Sequence, residues 1–184
     1  MEKNVAYIAL FAALIAALGL IPKLTLGFGV PITAQSLGVM LCGTILGSRR
    51  GALAVLLFLL LVAIGLPLLA GGRGGLGLFV SPTAGFLFGF PIAAFVTGLI
   101  VERWHGANLA VVAGVASIIG GVIVLYVFGV IGMLITLEKS IPEATALITA
   151  FLPGDVIKAV IAGILTAALF RSRPASVLSL ANDS

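Results

Sequence analysis

Asp155 and Lys158 stand three residues apart near the start of the last long apolar segment, Pro153–Phe170. That spacing puts both side chains on one helical face. The chain is 61% hydrophobic and 9% charged. Ionisable groups inside such a sequence are costly, and the default reading is that they serve function. A carboxylate beside an ammonium makes a small polar site that accepts and donates hydrogen bonds. A second reading of Asp155 is open: it falls in the first turn behind Pro153, where a helix dipole favours a carboxylate. The same dipole opposes Lys158, whose alternative is an apolar stem carrying the ammonium to the membrane interface.

Other side chains could complete a site. Arg73 has two glycines on each side. A guanidinium on bare backbone suits bidentate capture of a carboxylate, unless it is an ordinary loop charge. Thr33 and Gln35 open the second apolar segment and could line a pocket or bond between helices. Phe79, Phe86, Phe88 and Tyr126 could offer ring faces to an apolar ligand, or face core or lipid. Catalysis has no candidates. The lone histidine, His105, lies in a polar linker beside Trp104, and there is no nucleophile dyad, paired aspartates, metal-ligand cluster or phosphate-binding loop. No cofactor is expected, and any energy coupling must come from a partner or a gradient.

These residues need a scaffold. Mean hydropathy is +1.33. Uncharged stretches run 4–22, 24–48, 51–72, 74–101 and 106–137. A helical span takes about 20 apolar residues, so the chain reads as an all-α integral membrane protein. Strands of alternating polarity are absent, which excludes a β-barrel. Six spans are expected: Val5–Leu20, Ala34–Gly47, Ala52–Leu69, Ala84–Val101, Leu109–Gly132 and Pro153–Phe170. The first lacks a small-residue cleavage site and reads as a retained span. Ser48–Gly51 reads as a tight loop and Ala70–Gly77 as a glycine-rich one. Ile135–Phe151 reads as interfacial, with a short helix opened by Pro142. Residues 1–171 form one transmembrane domain, and 172–184 form a loose tail. Cys42 is a small packing residue. Ala9-x-x-x-Ala13, Gly43-x-x-x-Gly47 and Gly85-x-x-x-Gly89 are small-residue patterns that permit close helix approach.

Charge sets the orientation. Lys3, Arg49, Arg50, Arg103, Arg171 and Arg173 lie on one side, against Lys23, Arg73 and Lys139 on the other. Six against three puts both termini in the cytoplasm. Asp155, Lys158 and Arg73 then share the outer side. The formal charge of +4 comes from loop residues rather than a basic stripe, so nucleic acid is not an expected partner.

Four segments together resemble the BioY family: Pro31–Gly43, Gly71-Gly-Arg-Gly-Gly75, Ser81–Gly89 and Pro153-Gly-Asp-Val-Ile-Lys158. These are the biotin-binding substrate-specificity (S) components of energy-coupling factor (ECF) transporters. The resemblance runs in order from the first helix to Phe170, with Phe86 where the family more often has tyrosine. It implies a multi-pass S-component fold in the cell inner (plasma) membrane, with a site near the outer face. Pro22–Thr33 would be the lid over that site. Ala9 and Ala13 would dock on a transmembrane coupling (T) component driven by two ATPases. A second copy of the chain is a further candidate partner beside the lipid bilayer. For biotin, Asp155 would accept from a ureido N–H, Lys158 would donate to the ureido carbonyl, and Arg73 would hold the valerate carboxylate. The reversed pose, with Lys158 on the carboxylate, also fits. The competing readings are an S component for thiamin or riboflavin, and an intramembrane lipid-modifying enzyme.

Overall fold

The computed structural model describes residues 2–25, 27 and 30–180. Helix α1, Glu2–Leu18, is rich in alanine and ends where Gly19 and Pro22 stop it. A short antiparallel hairpin follows, in which β1 (Leu24–Thr25) pairs with β2 (Pro31–Ile32). Parts of the lid segment Pro22–Thr33, at 26, 28 and 29, lie outside the described residues. Helix α2 is Gln35–Leu46 and α3 is Ser48–Ala63. Only Gly47 separates them, in a left-handed conformation (φ 86°) that a glycine adopts without strain.

The expected Ser48–Gly51 loop is therefore helix. Its start is capped from a distance: Glu102 accepts from Ser48 N–H and from Ser48 Oγ, both at 2.7 Å. A carboxylate at a helix N-terminus satisfies free amides and complements the dipole. Helix α3 also ends earlier than Leu69. Gly65 takes a φ of 107°, Pro67 follows, and Leu69 and Arg73 exchange backbone hydrogen bonds across a tight hairpin.

Helix α4 is Ala84–Arg103, and α5 runs on past Gly132 to cover Leu109–Leu137. Within α5, Ile119–Val124 is a π-helical segment. One extra residue in a turn rotates the following helix by about 100°, just ahead of Tyr126. Helix α6, Ile141–Thr149, has Pro142 in its first turn and turns Ala144 and Ile148 inward. Helix α7 is Leu152–Ser172.

Helices α1 to α5 and α7 alternate in direction between two ends. One end holds the α1–α2 hairpin, the 64–75 loop and the start of α7. The other holds Gly47, Glu102 and the tail. Helix α4 lies centrally against α2, α3 and α5. Gly43 abuts the Ala94 carbonyl, and Gly85 abuts Phe128 and Gly132, so a side chain at either would separate the helices. Ile15, Met40, Leu46, Val55 and Phe58 are fully buried between them. Helices α4, α5 and α7 are long and apolar enough to cross a membrane. The outward faces of α5 and α7 carry exposed Val111, Val127, Ile157, Val160 and Ile164, as a lipid-facing surface requires. This is an all-helical membrane protein apart from the small hairpin.

The tail departs from the loose segment expected. Pro174–Ser176 and Leu178–Leu180 form single turns, and Val177 and Ser179 are buried. Ser179 Oγ donates to the Thr44 carbonyl at 2.6 Å. Apolar side chains in the tail found a gap under the helix ends. Residues 181–184 lie outside the described residues.

Candidate functional site

Asp155 lies one turn into α7, and its carboxylate does not cap that helix. It reaches across the bundle. Oδ1 accepts from Lys158 Nζ at 2.7 Å and from Ser36 Oγ at 3.2 Å. Oδ2 accepts from the Tyr126 hydroxyl at 2.9 Å. Lys158 also donates to Ser36 Oγ at 2.9 Å. Asp155 is 5% exposed. A buried ion pair is tolerable when hydrogen bonds satisfy its remaining atoms, and here α2, α5 and α7 each supply one or more. The dipole that opposes Lys158 at a helix start is offset by the adjacent carboxylate.

This cluster forms one wall of a cleft enclosing about 560 Å3 of non-atom space, part of it open to solvent. Arg73, Thr33 and Gln35 line the same cleft with Phe86. The other walls are mostly apolar, including Leu69, Phe90, Leu125 and Phe151. The few polar groups converging among apolar walls fit a small-molecule site.

Arg73 reaches the cleft from the 64–75 loop, and its Nε donates to the Ala70 carbonyl at 3.3 Å. Partial burial pulls its pKa down, so an anion beside it would be well received. Gln35 is 1% exposed, and its amide is occupied by backbone. Its Nε2 donates to the Ile15 and Leu68 carbonyls at 3.1 and 3.0 Å, and its Oε1 accepts from Ala70 N–H at 3.0 Å. It thereby ties the end of α1 to the loop that carries Arg73. Thr33 Oγ1 accepts from Gln35 N–H at 3.3 Å, at the start of α2.

Three residues expected at the site, Tyr126, Phe79 and Phe88, lie outside the cleft lining. Tyr126 sits behind Asp155 rather than in the cleft lining, with its ring against the α5–α6 groove. Phe79 packs edge-on against Phe88, with ring centres 5.7 Å apart, on a separate surface beside α5. Ala9 and Ala13 are exposed on α1, away from the cleft. Ser36 is the functional side chain that sequence reasoning missed. It lies inside the Pro31–Gly43 segment, yet a single hydroxyl carries no spacing signal. Only the α2–α7 packing shows that it bridges the ion pair.

The BioY family profile matches residues 2–175 of this sequence. The chain belongs to the BioY family. It is 54% identical to the biotin transporter BioY of Rhodobacter capsulatus, over 97% of this chain and 99% of that one. It is 55% identical to the biotin transporter BioY of Rhizobium etli, over 90% of this chain and 92% of that one. Its fold matches the crystal structure of an S-component for biotin from an ECF-type ABC transporter. The TM-score is 0.87, at 29% identity, covering 92% of each chain. The BioY match thus embraces all seven helices, the hairpin and every cleft residue named above.

Proposed function

We propose that this chain is the biotin-binding S component of an ECF-type uptake transporter. It captures biotin at the outer face of the plasma membrane and delivers it inward with a T component and ATPases. In this reading α1 to α5 and α7 are six spans, both termini are cytoplasmic, and the cleft opens outward beneath the hairpin lid. The bias of basic residues supports that orientation. Ala9 and Ala13 lie on an exposed small-residue face of α1 suited to close docking.

The observation that carries the proposal is the unused hydrogen-bonding capacity of the polar cluster. A carboxylate offers about four lone-pair sites and an ammonium three donors. Asp155 has three accepted bonds and Lys158 two donated bonds among the described residues. One acceptor position and one donor remain, which suits the N–H and carbonyl of a ureido ring. The ureido end sits at this pole, and Arg73, on the loop side of the cleft, takes the valerate carboxylate. Phe86, Phe90, Leu125 and Phe151 wall the thiophane ring and alkyl chain.

Thiamin and riboflavin have ring donors and acceptors of their own, but neither carries a carboxylate for Arg73. A lipid-modifying enzyme is disfavoured by relatives that are transporters. Equilibrium binding to the purified chain in nanodiscs tests the reading. Biotin is expected to bind and riboflavin and thiamin are not. Binding of riboflavin with biotin left free would overturn it.

A further inference from the structure

The α5–α6 groove behind Asp155 is not used by the site described above. It leaves about 570 Å3 unfilled. One wall is a face of α5 from Val122 to Leu134, and the other is the strip from Ile141 on α6 to Leu152 at the start of α7. Apart from Tyr126, Thr145 and Thr149, the described lining is aliphatic. All three hydroxyl protons are committed elsewhere. Thr145 Oγ1 donates to the Ile141 carbonyl at 2.8 Å, Thr149 Oγ1 to the Ala146 carbonyl at 2.6 Å, and Tyr126 to Asp155 Oδ2. The groove therefore offers an occupant apolar contact and no free side-chain donor.

Its position says what fills it. The lips are exposed Ile123, Val127 and Ile131 on one side and Ile141 and Leu152 on the other. The groove is thus continuous with the apolar surface that α5 turns to lipid. At one end stands the exposed polar turn Glu138–Ser140. From there, Leu134 to Val122 covers about 18 Å at 1.5 Å per residue. Half of a bilayer's hydrocarbon core is about 15 Å. A peptide in such a groove would have to satisfy every backbone group within itself, whereas a hydrocarbon chain has none to satisfy. An empty groove would forfeit dispersion contacts along both walls, and water would find no donor there.

We propose that the groove binds one acyl chain of a membrane phospholipid, from the leaflet on the cleft side, and that this chain holds Tyr126 against Asp155. Among the described residues, Tyr126 alone belongs both to the groove lining and to the ion-pair cluster. With the groove filled, the ring stays where its hydroxyl reaches Oδ2. With the groove empty, the ring has room to swing off the carboxylate. Leu152, three residues ahead of Asp155, forms part of the opposite lip, so the chain bears on both partners of that hydrogen bond. Lipid occupancy thereby tunes ligand affinity. This coupling rests on the biotin reading, and the acyl site itself does not.

The test has two arms. In the first, the full chain sits in phosphatidylcholine nanodiscs with a trace of the same lipid carrying a diazirine on one acyl chain, and adducts are mapped by mass spectrometry. Groove residues are expected to collect several-fold more adducts than exposed Leu56 and Leu60 of α3. Val130→Trp fills the groove and should remove that excess; Thr145→Trp does so from the other wall if Val130→Trp fails to fold. In the second arm, biotin affinity is measured in short-chain detergent with and without added phosphatidylcholine. Wild type is expected to gain about tenfold on addition, the scale of one hydrogen bond to a charged group, and Tyr126→Phe to gain nothing. Adducts spread evenly over groove and α3, or surviving both filling variants, would overturn the inference. So would a dimer whose groove is free of adducts, because a second copy would then be the occupant. Biotin affinity indifferent to lipid, or an equal gain in Tyr126→Phe, would overturn the link to Asp155. If wild type bound no biotin in either medium, the biotin reading would fall, and the adduct map would still decide the acyl site.

Discussion

The Tyr126 hydroxyl donates to Asp155 Oδ2 at 2.9 Å, so a side chain of α5 fixes a carboxylate on α7. The tyrosine does this from behind the cleft. Tyr126→Phe keeps the ring packing and removes the anchor. Biotin affinity is expected to fall roughly tenfold, the scale of one hydrogen bond to a charged group. The drop should vanish when Asp155 is already Asn, and a double-mutant cycle read by calorimetry checks this.

The Asp155–Lys158 pair also predicts a stability pattern. Removing one partner leaves a buried charge uncompensated, at a cost of about 3–5 kcal/mol. Asp155→Leu and Lys158→Met alone should each lower the thermal midpoint markedly. The double substitution should be more stable than either single one. Thermal unfolding in detergent, followed by tryptophan fluorescence, distinguishes this from simple additivity.

Gln35 bonds to Ile15, Leu68 and Ala70 and holds the Arg73 loop to the bundle. Gln35→Leu leaves the Leu68 carbonyl and the Ala70 N–H without partners, each at about 1–3 kcal/mol if it stays buried, while the Ile15 carbonyl keeps its bond from Gly19 N–H. Amide exchange over residues 68–75 is expected to accelerate and biotin affinity to fall with it.

Glu102 caps α3 at the end remote from the cleft. Glu102→Ala should cost about 1–2 kcal/mol, as for other lost helix caps, and leave biotin affinity unchanged. Stability and binding measured on the same preparation separate these two effects.

Glu143 supplies a pH-dependent term. The Ser140 backbone N–H, then the Ser140 hydroxyl and nearby Lys139, hold its carboxyl below the usual range. A depressed folded pKa contributes stability above the unfolded value of about 4.3. That contribution is lost as pH falls through the lower folded value. Amide protection of α6 should therefore weaken on acidification from about pH 5 downward, while Glu143→Gln shows no such step.

The sequence exposed the site's charges because charge is rare there. Asp155, Lys158 and Arg73 stand out against an apolar background, and the structure brings all three to one cleft. The hydroxyls were illegible for the opposite reason. Ser36 and Tyr126 resemble many other polar residues in apolar helices, and their role arises only where α2, α5 and α7 meet. Glu102 carries no sequence signal of its capping role because its partner, Ser48, is 54 residues away. Helix α5 read as ending at Gly132, yet that glycine is a contact point against Gly85 rather than a stop. The tail read as loose because its few apolar residues show no period, whereas Val177 and Ser179 fill a space made by other helix ends.

Binding of biotin to Asp155→Asn, compared with wild type in nanodiscs, tests the central claim most directly. The substitution keeps the shape and removes the charge that orders Lys158, Ser36 and Tyr126. The account predicts tight binding by wild type and a loss of about a hundredfold or more in the variant, with helical content preserved. Equal biotin affinity in the two proteins would contradict it.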